Sequence, residues 1–201
     1  MVLAEYIVMA THNQGKIKEL KLLLADTNLK LLSLADFPEL GPLEETGQTF
    51  RENARQKAET VAKATGLVAI ADDSGLEVDA LQGAPGVYSA RFAGKEADDE
   101  ANNAKLLQCL AHTPQDKRTA RFRSVIAIAK PSGECYFAEG TCEGSIGFRP
   151  KGSNGFGYDP LFIVQGDKRT LAEFSIEEKN KISHRGKALR EAKDILLQVL
   201  Q

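Results

Sequence analysis

Two adjacent aspartates, Asp72 and Asp73, follow a short apolar run and precede a serine and a glycine. The apolar run, residues 67–70, predicts a buried strand, and Asp, Ser and Gly predict a small, flexible turn at its end. A strand that ends in this way delivers carboxylates to the edge of a sheet, and carboxylate oxygens are ligands that Mg²⁺ prefers. The segment therefore predicts part of a phosphate-handling site. The alternative is that residues 72–75 form an ordinary turn without a chemical role.

A second polar group lies near the start of the chain, between a predicted strand and a predicted helix. It runs from Thr11 to Lys16 and brings a hydroxyl, amides and backbone N–H groups to a helix N-terminus, a common setting for an anion. Lys16 adds a point charge for a phosphate. The spacing of a Walker A loop is missing, so a capped turn with a solvated lysine explains the same residues. No second histidine lies at ligand spacing from His12, which we therefore interpret as backbone-positioned or exposed.

Two further groups lie in the second half of the chain. Residues 155–160 place paired glycines beside two aromatic rings and a carboxylate, and such a loop can stack on a nucleobase and bond to its edge. The alternative is a tight turn whose rings pack in the core. Lys179 and residues 183–187 form a basic, hydrogen-bonding group that suits the carbonyl oxygens of a ligand, although a helix cap with solvated charges explains them equally.

The composition of the 201 residues narrows the class of protein. Hydrophobic residues make up 42% and charged residues 27%, and the net charge is −2, which is the balance of a globular protein that buries a substantial core. We therefore predict a single domain over residues 1–201, made of two closely packed lobes. A nucleic-acid polymer is not expected as a partner, because such binding requires an evident basic excess.

Cysteine usage and apolar runs indicate the compartment. The three cysteines include no C-x-x-C pair, so neither a disulfide framework nor a zinc site is favoured. The N-terminal segment lacks the basic region and the long apolar core of a signal peptide, and no run approaches the roughly 20 apolar residues that span a bilayer. We expect a cytoplasmic protein that does not bind a membrane.

The elements that position these groups alternate at first between strand and helix and later form a hairpin. Predicted strands are residues 6–11, 29–34, 67–70, 121–129 and 134–143, and predicted helices are residues 16–24, 49–64, 97–112 and 187–200. Capping boxes begin at Thr49 and Ser175. This order predicts an α/β protein with a mixed sheet flanked by helices. It also predicts a cleft in which ligand-binding groups from strand ends and loops come together.

Six segments, taken together, resemble the Ham1/RdgB family of inosine triphosphate pyrophosphatases (ITPases). The segments are residues 11–16, 45–54, 71–81, 85–91, 155–160 and 183–186, in the order that the family has them. The resemblance runs from Val8 to about Leu189. His12 stands where the family often has a small residue, so the role of that side chain is not given by the resemblance.

The resemblance implies a fold and an activity. The fold is ITPase/Maf-like, with a mixed, mostly curved sheet flanked by helices in two lobes with a central cleft. The activity is the Mg²⁺-dependent hydrolysis of dITP, ITP and XTP to the nucleoside monophosphate and pyrophosphate, which removes abnormal purines from the nucleotide pool. The family usually forms homodimers, and we expect one here.

The resemblance also implies roles for individual residues. Asp73 matches the proton acceptor and a metal ligand, and Asp72 with Glu44 or Glu45 completes the acidic side of the Mg²⁺ site. The residues expected to bind the triphosphate are Thr11, His12, Asn13, Gln14, Gly15, Lys16, Lys57 and Ser74. Those expected to bind and read the purine are Phe156, Gly157, Tyr158, Asp159, Lys179, His184 and Arg185.

Two other functions are compatible with the same residues. A Maf-like pyrophosphatase for pyrimidine or modified nucleotides has a comparable architecture, although residues 155–159 and 183–185 favour a purine. A non-catalytic nucleotide sensor would use the acidic segment only to cap a strand. The presence of Asp72 and Asp73 together with Lys16 and Lys57 argues against a sensor.

Overall fold

The structure is a computed structural model that describes residues 5–95 and 98–200. Within these residues it contains six β-strands and five α-helices. In chain order they are β1 (Tyr6–Met9), α1 (Gln14–Leu23), β2 (Lys30–Ser33), α2 (Phe50–Thr65), β3 (Val68–Val78), α3 (Asp99–Cys109), β4 (Thr119–Ala129), β5 (Cys135–Ile146), β6 (Phe162–Val164), α4 (Ile176–Ile182) and α5 (His184–Val199).

The strands form one mixed sheet in the order β2-β1-β3-β4-β5-β6. β1 runs parallel to both β2 and β3, as expected of strands that are joined by helices. β5 and β6 are antiparallel. Lys130 N donates to Glu134 O at 2.8 Å and closes the turn that joins β4 to β5, which confirms the predicted hairpin. The predicted α/β class with a mixed sheet is confirmed.

β3 differs from the prediction in a way that matters for the site. Residues 72–75 do not form a turn, because β3 continues without a break from Val68 to Val78. β1 pairs with β3 only as far as Ile70, but β4 is the neighbour of β3 on its other side, and most side chains of β3 are buried. These tertiary demands override the turn preference of Asp, Ser and Gly. The prediction of a flexible turn at this position is wrong.

The local signals at helix ends are confirmed. Thr49 Oγ1 accepts a hydrogen bond from Glu52 N at 3.1 Å, and the Glu52 carboxylate accepts from Thr49 N at 3.1 Å, which completes the capping box of α2. Ser175 and Glu178 make the same reciprocal pair at the start of α4. α3 begins at Asp99 with Asp98 as its N-cap, while Ala97, the predicted first residue, lies outside the described residues.

The chain divides into two compact units, which are not continuous in sequence. The first comprises the described residues of 5–73, 124–139 and 188–200. Its hydrophobic core lies where strands β1, β3 and β4 pack with α1 and α5. The core side chains are Ile7, Met9, Ile17, Leu20, Leu24, Ile70, Ile126, Ile128, Ala138, Ala188, Leu189, Ala192 and Leu196.

The second unit comprises the described residues of 74–123 and 140–187. Its core is richer in aromatic rings and includes Leu76, Leu106, Leu110, Phe122, Ile146, Tyr158, Phe162 and Phe174. The three-residue strand β6 belongs to this unit and was not predicted. The organisation of both units as one closely packed domain stays a prediction. Across the described parts of the chain, none of the helices combines the length and the apolar character needed to cross a membrane.

Candidate active site

The two aspartates of β3 lie beyond the end of the neighbouring strand. β1 ends at Met9, opposite Ile70, whereas β3 continues to Val78. Because side chains alternate along a strand, Asp72 and Asp73 emerge on opposite faces of the sheet. Ile70 lies two residues before Asp72 and so faces the same side of the sheet, and Ile70 belongs to the core cluster that includes residues of α1. Asp73, on the other side, contacts α2. The first unit therefore presents one carboxylate to each of two helices.

Asp73 is held by two residues of α2. One carboxylate oxygen accepts from Lys57 Nζ at 3.1 Å, and the other accepts from Asn53 Nδ2 at 3.2 Å. The side chain is buried, with 8% of the residue exposed. Burial raises the pKa of Asp73, while the positive charge of Lys57 opposes the rise. A carboxyl with a raised pKa is a better proton acceptor near neutral pH than an ordinary aspartate.

Lys57 joins three oxygens of the first unit. Its Nζ donates to Glu45 Oε1 at 2.6 Å, to Asp73 Oδ1 at 3.1 Å and to the backbone oxygen of Asp72 at 3.1 Å. Burial lowers the pKa of Lys57, but the nearby Asp73 and Glu45 carboxylates outweigh burial and raise it, so the ammonium stays charged. Glu44 is exposed, and the geometry therefore favours Glu45 over Glu44 as a member of the cluster.

Lys16 provides the second cation of this cluster. Its Nζ forms an ion pair with Asp72 Oδ2 at 3.0 Å and donates to the backbone oxygen of Asp72 at 3.3 Å. The other carboxylate oxygen of Asp72 accepts from Ser124 Oγ on β4 at 2.8 Å. The two lysines thus converge on one carbonyl oxygen, which lies past the end of β1.

The N-terminus of α1 lies next to these groups in sequence. Thr11 Oγ1 accepts from Asn13 N at 3.1 Å, and Asn13 Oδ1 accepts from Lys16 N at 3.1 Å, so Asn13 caps the helix. The first turn, which includes Gln14 and Gly15, carries no acidic residue, which leaves its positive dipole end suited to an anion. His12 is exposed, as interpreted from the sequence.

The first-unit cluster fits Mg²⁺ in its donor chemistry. Among the described residues, no three His, Cys, Asp or Glu side chains form a ready-made metal cage. Mg²⁺ does not need one, since it is usually held by one or two carboxylates together with waters and substrate phosphates. Glu45 and Asp73 can supply two such carboxylates. The two lie close together, because both bond to the Nζ of Lys57, at 2.6 and 3.1 Å.

The second unit contains the glycine-rich loop of residues 155–160. Asp159 Oδ2 accepts from Lys179 Nζ at 2.6 Å and from Phe156 N at 3.1 Å, so this buried carboxylate holds both the loop and a cation of α4. Gly155 has a φ of +84°, and a Cβ there would collide with the Asp159 carboxylate. The loop can therefore close on Asp159 only with a glycine at this position.

The two aromatic rings of this loop have different surroundings. Tyr158 is buried, and its hydroxyl donates to Ser89 O at 2.8 Å, so the expectation of a packed ring holds for Tyr158. Phe156 is only half-buried, and its ring centroid lies 5.0 Å from Lys179 Nζ and 5.1 Å from Arg185 Cζ. Phe156 is thus the ring that remains available for stacking, with two donors beside it.

The segment of residues 183–186 joins α4 to α5. Ser183 Oγ accepts from Gly186 N at 3.1 Å and caps α5. His184 is buried and stacks on Phe122, with ring centroids 4.7 Å apart. Arg185 is buried too, and its guanidinium donates to Ser74 Oγ at 3.4 Å. Ser183 therefore caps a helix, as predicted, while the two basic residues directly after it are buried and not solvated.

Two residues of the cluster were not singled out from the sequence. Asn53 bridges two parts of it, because its Oδ1 accepts from Gly47 N at 2.8 Å while its Nδ2 donates to Asp73. Its spacing of four residues from Lys57 on a predicted helix places both on one face, and that signal was present in the sequence. Ser124 had no such signal, since it meets Asp72 only through the pairing of the sheet.

An α/β fold with carboxylates, lysines and a helix N-terminus around the end of a strand is typical of enzymes that act on phosphate compounds. The chain belongs to the Ham1 family, whose sequence model matches residues 7–195. It is 59% identical over 190 residues to a dITP/XTP pyrophosphatase of Desulforamulus reducens, a match that covers 94% of each chain.

Other relatives agree with this assignment. A dITP/XTP pyrophosphatase of Streptococcus agalactiae is 52% identical over 190 residues, and the match spans 94% of this chain but 59% of that longer relative. The solved structure of a HAM1 protein from Coxiella burnetii superposes with a TM-score of 0.89 at 44% identity and covers 96% of this chain and 99% of the other. The fold and the family thus agree.

Proposed function

We propose that this protein is a Mg²⁺-dependent pyrophosphatase that hydrolyses dITP, ITP and XTP to the nucleoside monophosphate and pyrophosphate. The observation that carries the proposal is the network in which buried Asp73 and partly buried Glu45 share the Nζ of buried Lys57. Such a network combines a proton acceptor, hard oxygen ligands and a cation for a phosphate in one place. The names of the relatives supply the substrate class.

Asp73 acts as the proton acceptor in this proposal. A water oxygen forms a bond to the α-phosphorus while the bond from that phosphorus to the bridging oxygen breaks, and pyrophosphate departs. Asp73 takes the proton of the attacking water, which its raised pKa favours. Asn53 holds the carboxylate in place through its hydrogen bond at 3.2 Å.

The lysines and the α1 N-terminus are proposed to bind the triphosphate. Lys16 and Lys57 are both charged groups that can exchange a carboxylate for a phosphate oxygen. Thr11, Asn13 and the N–H groups of the first turn of α1 add hydrogen bonds. Mg²⁺, when bound by Glu45 and Asp73, would supply the positive charge that offsets repulsion between these carboxylates and a polyphosphate. Asp72, the further ligand expected from the sequence, lies on the opposite face of β3 and bonds to Lys16 and Ser124, so we leave it out of this pair.

The Phe156 loop and its cations are proposed to bind the purine. Phe156 stacks on the base. Lys179, His184, Arg185 and backbone groups near Tyr158 and Asp159 are the groups from which donors to the 6-keto oxygen of hypoxanthine and xanthine are drawn. Adenine has an amino group at this position, so a buried donor would face another donor. Sites of this kind reject the wrong partner by about 10⁴-fold.

The assembly and compartment are also part of the proposal. A homodimer is supported by the resemblance to the family, and a cytoplasmic location by three cysteines without a C-x-x-C pair. Sedimentation of the purified chain measures the first. A species of about 44 kDa, twice the 21.9 kDa of the chain, would support it, and a monomer would contradict it.

The first experiment measures pyrophosphate release from ITP, XTP, GTP, ATP and dUTP, with Mg²⁺ and with excess chelator, and identifies the nucleotide product. Metal-dependent formation of monophosphate from ITP and XTP, much faster than from ATP, is expected. Preferred turnover of dUTP would favour a Maf-like activity on pyrimidines. Tight binding of ITP without any turnover would identify a sensor instead.

A further inference from the structure

The loop that carries Phe156 lies outside the regular strands and helices, between β5 and β6. Glycines stand on both sides of the ring, and Gly157 has a φ of +63°. A segment with paired glycines has little stiffness of its own, so a ring on it is defined only by contacts made with the rest of the protein. A poorly defined ring would have to be ordered by the ligand at a cost in affinity.

Two side chains of α3 bond to the residue that directly follows Phe156. Gly157 N donates to Asp99 Oδ2 at 2.6 Å, and Gly157 O accepts from Asn103 Nδ2 at 2.8 Å. Asp99 and Asn103 are four residues apart and therefore lie on the same face of the helix. Both polar backbone groups of one residue are thus bonded to a single helix face.

We propose that Asp99 and Asn103 are positioning residues for base recognition, which fix the backbone at Gly157 and so set the Phe156 ring for stacking on the purine. This inference rests on the proposed function. Asp159 bonds to the N–H of Phe156 from the other direction, so the ring is held on both sides along the chain.

The helix does not need Asp99 for its own cap. Asp98 performs that role, because its Oδ1 accepts from Ala101 N at 2.8 Å. Asp99 therefore directs its carboxylate to Gly157 in a short, charge-assisted bond, a stronger type than a bond between neutral groups. Asn103 is buried with 9% exposed, so an unmet Gly157 carbonyl beside it would be costly.

The same helix offers a matched control. Asn102 is buried as well, accepts from Ala93 N at 2.8 Å and donates to Ala90 O at 3.2 Å. It holds a different segment, residues 90–93, through the same kinds of bonds, and its two bonds are made to Ala90 and Ala93 and not to Gly157. Replacing it removes comparable structure without touching Gly157.

The test compares steady-state kinetics of ITP hydrolysis for Asp99→Ala, Asn103→Ala and Asn102→Ala. For the first two variants, KM is expected to rise about tenfold while kcat stays within about twofold, because a hydrogen bond that orders the ring affects binding. A merely structural role would instead lower the active fraction, and so lower kcat without changing KM. That is the pattern expected for Asn102→Ala.

Conservative variants keep the test decisive if an alanine variant folds poorly. Asp99→Asn retains an acceptor for Gly157 N and is expected to keep KM within about threefold of the wild type. Asn103→Asp has the same shape but lacks the N–H donor, so it is expected to reproduce the increase in KM. Hydrogen exchange at the Gly157 amide, measured by NMR, is expected to accelerate in Asp99→Ala and to stay slow in Asp99→Asn.

The outcomes separate this proposal from the function on which it rests. If the wild type hydrolyses ITP but KM is unchanged in Asp99→Ala and Asn103→Ala, the positioning role alone is overturned. This holds whether or not hydrogen exchange at the Gly157 amide accelerates. A wild-type protein that does not hydrolyse ITP would overturn the proposed function and this proposal together. An equal increase in KM for Asn102→Ala would also overturn it, because the effect would not be specific to the Phe156 loop.

Discussion

The group around Asp73 and the group around Phe156 are built in opposite ways. In the first, most of the side chains project from strands and helices and are held by other side chains, as in the contacts of Lys57 and Asn53 with Asp73. In the second, the ring lies on a glycine-rich loop, and the loop is held by bonds from side chains to its backbone.

The difference reflects the chemistry proposed for each group. Proton transfer requires a carboxylate fixed within hydrogen-bond distance of the reacting water, and paired strands and helices provide that precision. Stacking tolerates a loop, since a flat ring presents the same face to any flat base, but the loop must then be ordered by added contacts. Changes in the first group should therefore act on kcat, and changes in the second on KM.

The largest effect is expected from Asp73→Asn. The amide has the size of the carboxylate but cannot accept the proton of water, so kcat for ITP should fall by about 10³-fold with little change in KM. Steady-state pyrophosphate release measures both constants. Asp79→Asn is the control, because this exposed carboxylate just after β3 pairs with Arg121 instead. A kcat for Asp73→Asn within tenfold of the wild type would refute the role of Asp73.

Lys57→Met should have the next largest effect, about 10²-fold in kcat/KM, because it removes a cation from the triphosphate site. The variant should also lose about 3 kcal/mol of unfolding free energy at neutral pH, because two carboxylates lose a buried partner. The control is Lys63→Met, an exposed lysine of the same helix.

The stability deficit of Lys57→Met should depend on pH. Burial raises the pKa of Asp73, and the opposing effect of Lys57 disappears in the variant. A carboxyl whose pKa is higher in the folded state stabilises fully below its unfolded pKa and loses that contribution as the pH rises through the folded value. Urea unfolding should therefore show a smaller deficit at acidic than at neutral pH. A deficit that grows on acidification would contradict this account.

The substitution Phe156→Ala tests the second group. Stacking on an aromatic ring is worth about 1 to 3 kcal/mol per base, so KM for ITP should rise by roughly ten- to a hundredfold with kcat largely kept. Phe148→Ala is the matched control, since this exposed ring of the same unit packs against Arg118 instead. A loss confined to kcat would show that Phe156 does not bind the base.

The smallest effect is expected from Ser74→Ala. This change removes the acceptor of a long, 3.4 Å hydrogen bond from Arg185, so KM for ITP should change by less than about threefold. Ser132→Ala, in the exposed turn between β4 and β5, is the control and should leave both constants unchanged. A tenfold increase in KM for Ser74→Ala would place Ser74 in direct contact with the nucleotide.

The sequence predicted the local features of the fold well, because those features depend on neighbours in the chain. The capping boxes at Thr49 and Ser175 are contacts across three residues, and each helix begins where its box predicts. The path of β3 depends on strands that are distant in sequence. The turn expected at residues 72–75 does not form, because the segment is part of a strand of the sheet. Strand pairing of this kind cannot be read from a local sequence pattern.

The site shows the same division. The acidic pair and Lys16 were recognisable from residue type and position, whereas the choice of Glu45 over Glu44 depends on an irregular segment that brings only one of them to Lys57. Asp99 and Asn103 could not be found in this way, because they meet Gly157 across 58 and 54 positions of sequence. Polar residues in an amphipathic helix usually form its solvated face, so their type gives no sign of this role.

Asp72 and Asp73 are neighbours on one strand. This limits which insertions, deletions and substitutions in the strand can keep both side chains in place. A one-residue deletion or insertion between positions 68 and 71 would turn every later side chain of β3 to the opposite face of the sheet. Asp73 would then point toward the helix that carries Lys16, and Lys57 would face a different residue. Exchanges of one apolar residue for another leave this order intact. We therefore expect related sequences to vary in composition along residues 68–71 but to keep the number of residues fixed.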